Sequence, residues 1–191
     1  VLNVNTSILV ICEHHLIHDG WTQGVLLRDF IEIYKNLTAN RNFEVTIPVL
    51  QFKDYAFWER NHIQGDYLKR QLKYWREKLA GLNHELKLPL DHKRPKFISG
   101  KGNLIMRTLS REFSEQLRSF SSANNVTLFI TMLTGFKILL AKFSNEYDLC
   151  VGTGIANRRV KELQGMLGMV INTLALRTTV DPHETLMKFI H

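Results

Sequence analysis

Cysteine is nearly absent. The 191 residues hold two, Cys12 and Cys150, each inside an apolar, strand-like run. No CxxC pair and no zinc-type Cys/His spacing occurs, which excludes a disulfide scaffold and a structural zinc module. Both read as buried, reduced thiols of the kind a reducing cytoplasm keeps. Proline is equally scarce at four residues, so no proline-rich linker is present. No apolar run reaches the roughly 18 residues that span a bilayer. There is no internal repeat and no low-complexity tract. The N-terminus lacks the basic region of a secretory signal. The chain starts with Val1 rather than Met, at what reads as the approach to a strand. The expectation is a piece cut from a longer chain.

Acidic residues are the minority. Against 25 Lys and Arg stand 18 Asp and Glu, a formal net charge of +7 and a pI of about 9.5. That balance suits acidic partners. The basic residues are scattered, however, and densest at Lys93-Arg94 with Lys96 and at Arg158-Arg159 with Lys161. No basic stripe interleaved with stacking aromatics exists, which argues against nucleic acid.

What is present is an ordinary globular mixture, 45% hydrophobic and 23% charged, long enough to bury a core. Residues 5–12 read as a buried strand, rich in β-branched side chains. A loop carries 13–20, and a helix follows from Trp21, with Leu26, Phe30, Ile33 and Leu37 on one face. Gln51 to His62 reads as a second helix. Asp66 caps a third, which runs through Leu68, Leu72, Trp75 and Leu79 and closes at Gly81. Residues 82–102, broken by Pro89, Pro95, Gly100 and Gly102, read as a connector. Beyond it come a strand at Leu104–Leu109, a helix from Ser110, a helix capped by Thr127, and apolar strands at 149–156 and 169–180. Short strands separated by helices indicate a layered α/β fold. The aromatics Phe57, Trp58, Trp75 and Phe136 read as core rather than as a substrate pocket.

The chemistry concentrates in EHHLIHDGW, residues 13–21. As metal ligands His14 and His15 fit poorly, because successive strand residues point to opposite faces, and no HExxH set supports them. As structural elements they fit well: Asp19 stands where a helix N-cap belongs and Gly20 allows a tight entry. As acid–base groups they also fit. A neutral imidazole accepts a proton near physiological pH, and α/β folds place such groups where a strand end meets a helix N-terminus. The residues alone leave the last two readings open.

Five collinear stretches carry a likeness to one family. HHLIHDGW resembles the HHxxxDG motif of the condensation domains of nonribosomal peptide synthetases. FKDYAFWER resembles their YxDFAxW segment, YWREKLAGL and LPLDHKRP their YWxxxLAG and LPxDxxRP segments, and VGTGIANRRVKELQGMLGMVINTLALR their VGTPxAxR to VNTLxLR stretch. The likeness covers essentially the whole chain. It departs mildly at Gly154, Met169 and Ile171, away from the histidines.

The resemblance implies a chloramphenicol-acetyltransferase-like (CoA-dependent acyltransferase-like) α/β fold of two lobes in a V, incomplete here. Residues 1–81 would be the C-terminal part of the N-terminal lobe, 82–102 the inter-lobe connector, and 103–191 the first part of the C-terminal lobe. It implies amide formation between a donor and an acceptor thioester. His15 would be the general base, or the group that orients and stabilises the charged intermediate. His14 and Asp19 would be structural, with Asp19 paired to Arg158 or to the adjacent Arg159. Gly20 would allow close approach of the substrate arm, and Trp21 and Asn172 would stand along the tunnel. No cofactor would be bound directly. Phosphopantetheine arms of donor and acceptor carrier proteins would deliver the substrates, with adenylation domains in the same assembly line and neither nucleic acid nor membrane as partner. The alternatives are an epimerisation or O-acyltransferase relative, from which Trp21 and Thr22 after the Asp-Gly pair distinguish the chain, and an inactive remnant that at most docks carriers.

Overall fold

The computed structural model describes residues 6–43, 47–83, 85–97 and 99–191. Along them run α1 (Gly20–Thr38), α2 (Phe52–His62), α3 (Gly65–Leu79), α4 (Arg111–Ala123), α5 (Leu128–Ser144), β1 (Asp148–Ile155), α6 (Lys161–Gln164), β2 (Asn172–Thr179) and α7 (Leu186–Ile190). The strands β1 and β2 pair with each other. The chain forms two compact units, one of Val1–Glu77 with Gly152–Leu174, the other of Lys78–Val151 with Ala175–His191. The division between the units therefore falls inside both strands.

In the first unit, α1 begins because the Asp19 side chain accepts the Thr22 amide, the N-cap arrangement its sequence position predicts. The helix buries Thr22 and Val25 rather than the expected stripe. Leu26 and Ile33 are half-buried, and Phe30 and Leu37 are exposed. α2 starts with the Asp54 carboxylate accepting the Gln51 amide at 2.9 Å. Its Tyr55 joins Leu163, Met166 and Val170 in a small core, flanked by Leu50 and Phe52. Each such side chain contributes roughly 1.5–3 kcal/mol on burial. α3 already starts at Gly65, so Asp66 lies in its first turn instead of capping it. Gly81 beyond its end has φ +70°, a conformation that favours glycine.

The second unit is built on helices whose caps match the sequence. Ser110 accepts the Phe113 amide and Thr127 the Ile130 amide, each at 3.2 Å. α4 and α5 are joined by a 2.8 Å contact between the Ser121 and Thr131 hydroxyls. Ala141, Leu149 and Val180 form the core, with Ile138, Leu140, Leu86 and Phe189 against it. Arg177 on β2 grips Asp148 on β1 and donates to the carbonyls of Lys78 and Ala80 at the end of α3. Lys137 is buried and donates to the Thr178 hydroxyl, and burial lowers its pKa.

Several expectations are corrected. Residue 5 of the expected first strand lies outside the described residues. Residues 7–12 form no strand and are exposed, Val10 at 80%. Residues 104–109 likewise form no strand, and Leu104 and Ile105 are both 78% exposed. β propensity is satisfied only when a neighbouring strand supplies the hydrogen bonds, and β1 and β2 pair with each other. For the same reason Cys12 is exposed, while Cys150 on β1 is half-buried. Phe57, Trp58 and Phe136 are exposed rather than core, because no element among the described residues covers their helix faces. Trp75 is half-buried. The described residues of 82–102 contain neither helix nor strand; His84 and Ile98 lie outside them. No single helix among the described residues is long and apolar enough to cross a membrane.

Exposed apolar runs at Ile8–Ile11 and Leu104–Met106 make the 191-residue chain adhesive. It is expected to self-associate in light scattering. Lysine at Val10 and Ile105 together is expected to shift it toward monomer without lowering its melting temperature.

Candidate functional site

The histidine cluster lies on a tight turn. The Ile17 amide donates to the His14 carbonyl at 3.0 Å, and the Leu16 amide donates to His14 Nδ1 at 3.1 Å. His14 is thus tied into its own loop. His15, Leu16 and Ile17 are exposed. The His15 ring stacks on that of His18, with centroids 5.0 Å apart and 15° between planes. Among the described residues no group of three or more His, Cys, Asp or Glu is placed to hold a metal ion.

Immediately below the turn sits Asp19, 1% exposed. Its Oδ1 accepts the Thr22 amide at 2.8 Å and its Oδ2 the Val170 amide at 3.0 Å. Arg158, 6% exposed, brings Nη2 to 3.2 Å from Oδ1 and 3.3 Å from Oδ2. The same guanidinium donates to the carbonyls of Leu163, Met166 and Gly168. The Thr22 hydroxyl lies 2.9 Å from both Asp19 Oδ1 and the Gly168 carbonyl, donating to one of them. It accepts from Arg158 Nη2 and from the Gly168 amide. The pair therefore locks the start of α1 to residues 163–170, the end of α6 and the loop after it, with nearly every lone pair and proton satisfied. One atom is not: Arg158 Nε is buried without a partner.

Burial alone would raise the Asp19 carboxyl. The amides of Thr22 and Val170, the Thr22 hydroxyl and the Arg158 charge outweigh it and bring the pKa down from 3.8 to about 2. Tyr55 moves the other way, to about 12, through burial and its hydrogen bond to Glu59. Its hydroxyl also accepts from Asn157, whose backbone is left-handed at φ 53° just before Arg158.

The structure brings His14, His15, Asp19, Gly20, Trp21 and Arg158 into one unit. Arg158 rather than Arg159 meets Asp19; Arg159 instead lines an apolar cleft of about 530 Å³ with Trp58 and Val160. Gly20 opens α1, and a Cβ added there would touch nothing within 4 Å. Trp21 donates its indole N–H to the Gln164 carbonyl at 2.8 Å and is 44% exposed. Asn172 opens β2, exposed, with its side-chain oxygen accepting the Thr173 amide.

Sequence reasoning used Thr22 only to set the chain apart from epimerisation relatives, gave it no part in the Asp19 site, and did not single out Gly168. Thr22 carries the signal of a hydroxyl three residues after the N-cap aspartate. Gly168 has φ +150°, and an added Cβ would fall 2.5 Å from the Phe52 ring. Its signal is a glycine directly before the apolar run Met169-Val170-Ile171.

The family model of the condensation domain matches residues 2–191. The chain belongs to the condensation-domain family. Among curated relatives it is 35% identical over 178 residues to the chondramide synthase of Chondromyces crocatus, covering 93% of the chain and 4% of that protein. It is 35% identical over 183 residues to bacitracin synthase 1 of Bacillus licheniformis, covering 96% and 3%. Among solved structures, the X-domain from teicoplanin biosynthesis superposes with a TM-score of 0.82 at 24% identity, covering 93% of the chain and 40% of that domain. A four-domain nonribosomal peptide synthetase bound to AMP and glycine matches with a TM-score of 0.76 at 29% identity, covering 91% and 13%. The fold is thus the chloramphenicol-acetyltransferase-like α/β fold of condensation domains. The chain spans a few per cent of the synthetases and about 40% of the X-domain.

For this condensation-domain chain, Arg158→Ala is expected to cost about 3–5 kcal/mol in a urea melt, because it strands a buried carboxylate. The depressed Asp19 pKa gives a signed pH dependence. Its stabilisation is complete above about pH 5 and is lost as pH falls through about 2. Asp19→Asn is expected to flatten the stability profile in that window.

Proposed function

We propose that this chain is the motif-bearing part of a condensation domain that forms an amide between two carrier-tethered thioesters. The observation that carries the reading is the HHLIHDG turn, with His15 exposed four residues before the buried Asp19 that pairs with Arg158. A base meant for an incoming amine must be accessible yet fixed, and this placement meets both requirements.

In the proposed reaction the acceptor's α-amino nitrogen attacks the donor thioester carbonyl. The N–C bond forms, the C–S bond breaks, and the thiol leaves with a proton. A free α-amino group has a pKa near ~7.7–8.0, so a large neutral fraction is available to attack near neutral pH. Attack makes the nitrogen far more acidic, and the His15 imidazole takes its proton or stabilises the charged intermediate. Such a base is worth about 10²–10⁴ in rate. Holding both tethered reactants in line supplies much of the remainder.

Donor and acceptor carrier proteins, each with a phosphopantetheine arm, are the proposed partners, with adenylation domains in the same assembly line. The net charge of +7 suits acidic carriers. Gly20 leaves open space beside the turn for the arm; Trp21 and Asn172 are proposed to stand along the arm's path. His14 and Asp19 with Arg158 are assigned to holding the loop. The lobe division is proposed at the 82–102 connector, and the cytoplasm is the proposed compartment.

In a full-length synthetase containing this sequence, His15→Ala is expected to reduce amide formation by about 10²–10⁴. Carrier loading, followed by mass spectrometry, should stay normal. An unchanged rate would remove His15 from the base role.

A further inference from the structure

We propose that His18 is a positioning residue for His15: its ring is the shelf against which the base rests, and Glu13 holds that shelf in place. The inference rests on His15 being the reacting imidazole. His15 is exposed on a turn, and an exposed imidazole samples several rotamers. Here one face is covered, because the His18 ring lies nearly parallel to it at 5.0 Å between centroids. That leaves His15 free to slide and turn in its own plane and hinders it from tipping out. The shelf itself is fixed. The His18 side chain is only 12% exposed, and its Nδ1 stands 3.4 Å from Glu13 Oε2. That nitrogen is buried and makes no hydrogen bond, and the Glu13 carboxylate packed 3.4 Å from it is the polar group beside it. Glu13, His18 and His15 thus form a short relay of contacts from one side of the turn to the other, separate from the Asp19–Arg158 anchor beneath.

Such a shelf matters for the chemistry because proton transfer needs the base within about 2.6–3.2 Å of the group it deprotonates, and a displacement near 1 Å costs up to about 10² in rate. The requirement at position 18 is therefore a flat ring, and at position 13 a carboxylate.

The test has two arms. In the 191-residue chain, the ring-proton NMR signals of His15 are expected to lie upfield in the wild type and in His18→Phe. In His18→Ala they should move downfield. Unchanged signals in His18→Ala overturn the stack. In a full-length synthetase containing the sequence, acyl and aminoacyl thioesters of N-acetylcysteamine serve as donor and acceptor probes. There His18→Ala is expected to lower kcat by about 10- to 100-fold with KM unchanged, and His18→Phe to recover most of that loss. Glu13→Gln should fall between the two. All three variants should melt like the wild type. If His15→Ala is inactive while His18→Ala keeps full kcat, or while His18→Phe rescues nothing, the positioning role is wrong and the base assignment stands. If His15→Ala keeps full activity, the base assignment fails; the NMR arm then decides the stack alone.

Discussion

A carboxylate taken out of water needs a partner, and in this chain Asp19 finds it 139 positions away in sequence. An unpaired buried charge costs several kcal/mol, so the first turn of α1 and the segment 163–170 are obliged to meet. The Arg158 guanidinium has more donors than one carboxylate can use, and it directs the others to three carbonyls of that segment. The position of the histidine turn follows from this meeting. The exposed histidine turn is thereby attached to a buried, hydrogen-bonded point.

The division of labour within nine residues is sharp. His14 is bonded to its own loop, Asp19 is buried in an ion pair, and His15 between them faces solvent. A histidine packed in the interior would be fixed but unreachable, and one on a free loop reachable but unfixed. The two-layer arrangement, with a satisfied polar knot below and a stacked imidazole above, resolves that conflict with side chains from a single short motif and one distant arginine.

Much of this was legible in the residues. The caps at Asp19, Ser110 and Thr127 are local, depending on one side chain and an amide three residues on, and the structure has all three. The strands expected at 149–156 and 169–180 were legible, and form at Asp148–Ile155 and Asn172–Thr179, because each finds its partner in the other. The runs at 5–12 and 104–109 carry the same composition, yet residues 7–12 and 104–109 form no strand, because pairing is a property of two segments and composition describes one. The ion pair could be narrowed only to Arg158 or Arg159, since neighbours in a turn differ by direction, which the left-handed Asn157 sets. The part that Thr22 and Gly168 play in the polar knot escaped for a different reason: it lies in hydrogen bonds to a segment far along the chain.

Gly168 joins two things that are usually separable. Its carbonyl and amide belong to the polar knot around Asp19, while its Cα lies against the Phe52 ring, at the edge of the apolar cluster that includes Tyr55 and Met166. A methyl group there has no room unless Phe52 withdraws, and Phe52 cannot withdraw without loosening that cluster. The apolar cluster and the polar knot around Asp19 consequently share one backbone position, so mutational damage to either spreads to the other. A directed-evolution library that varies this residue should yield almost no survivors.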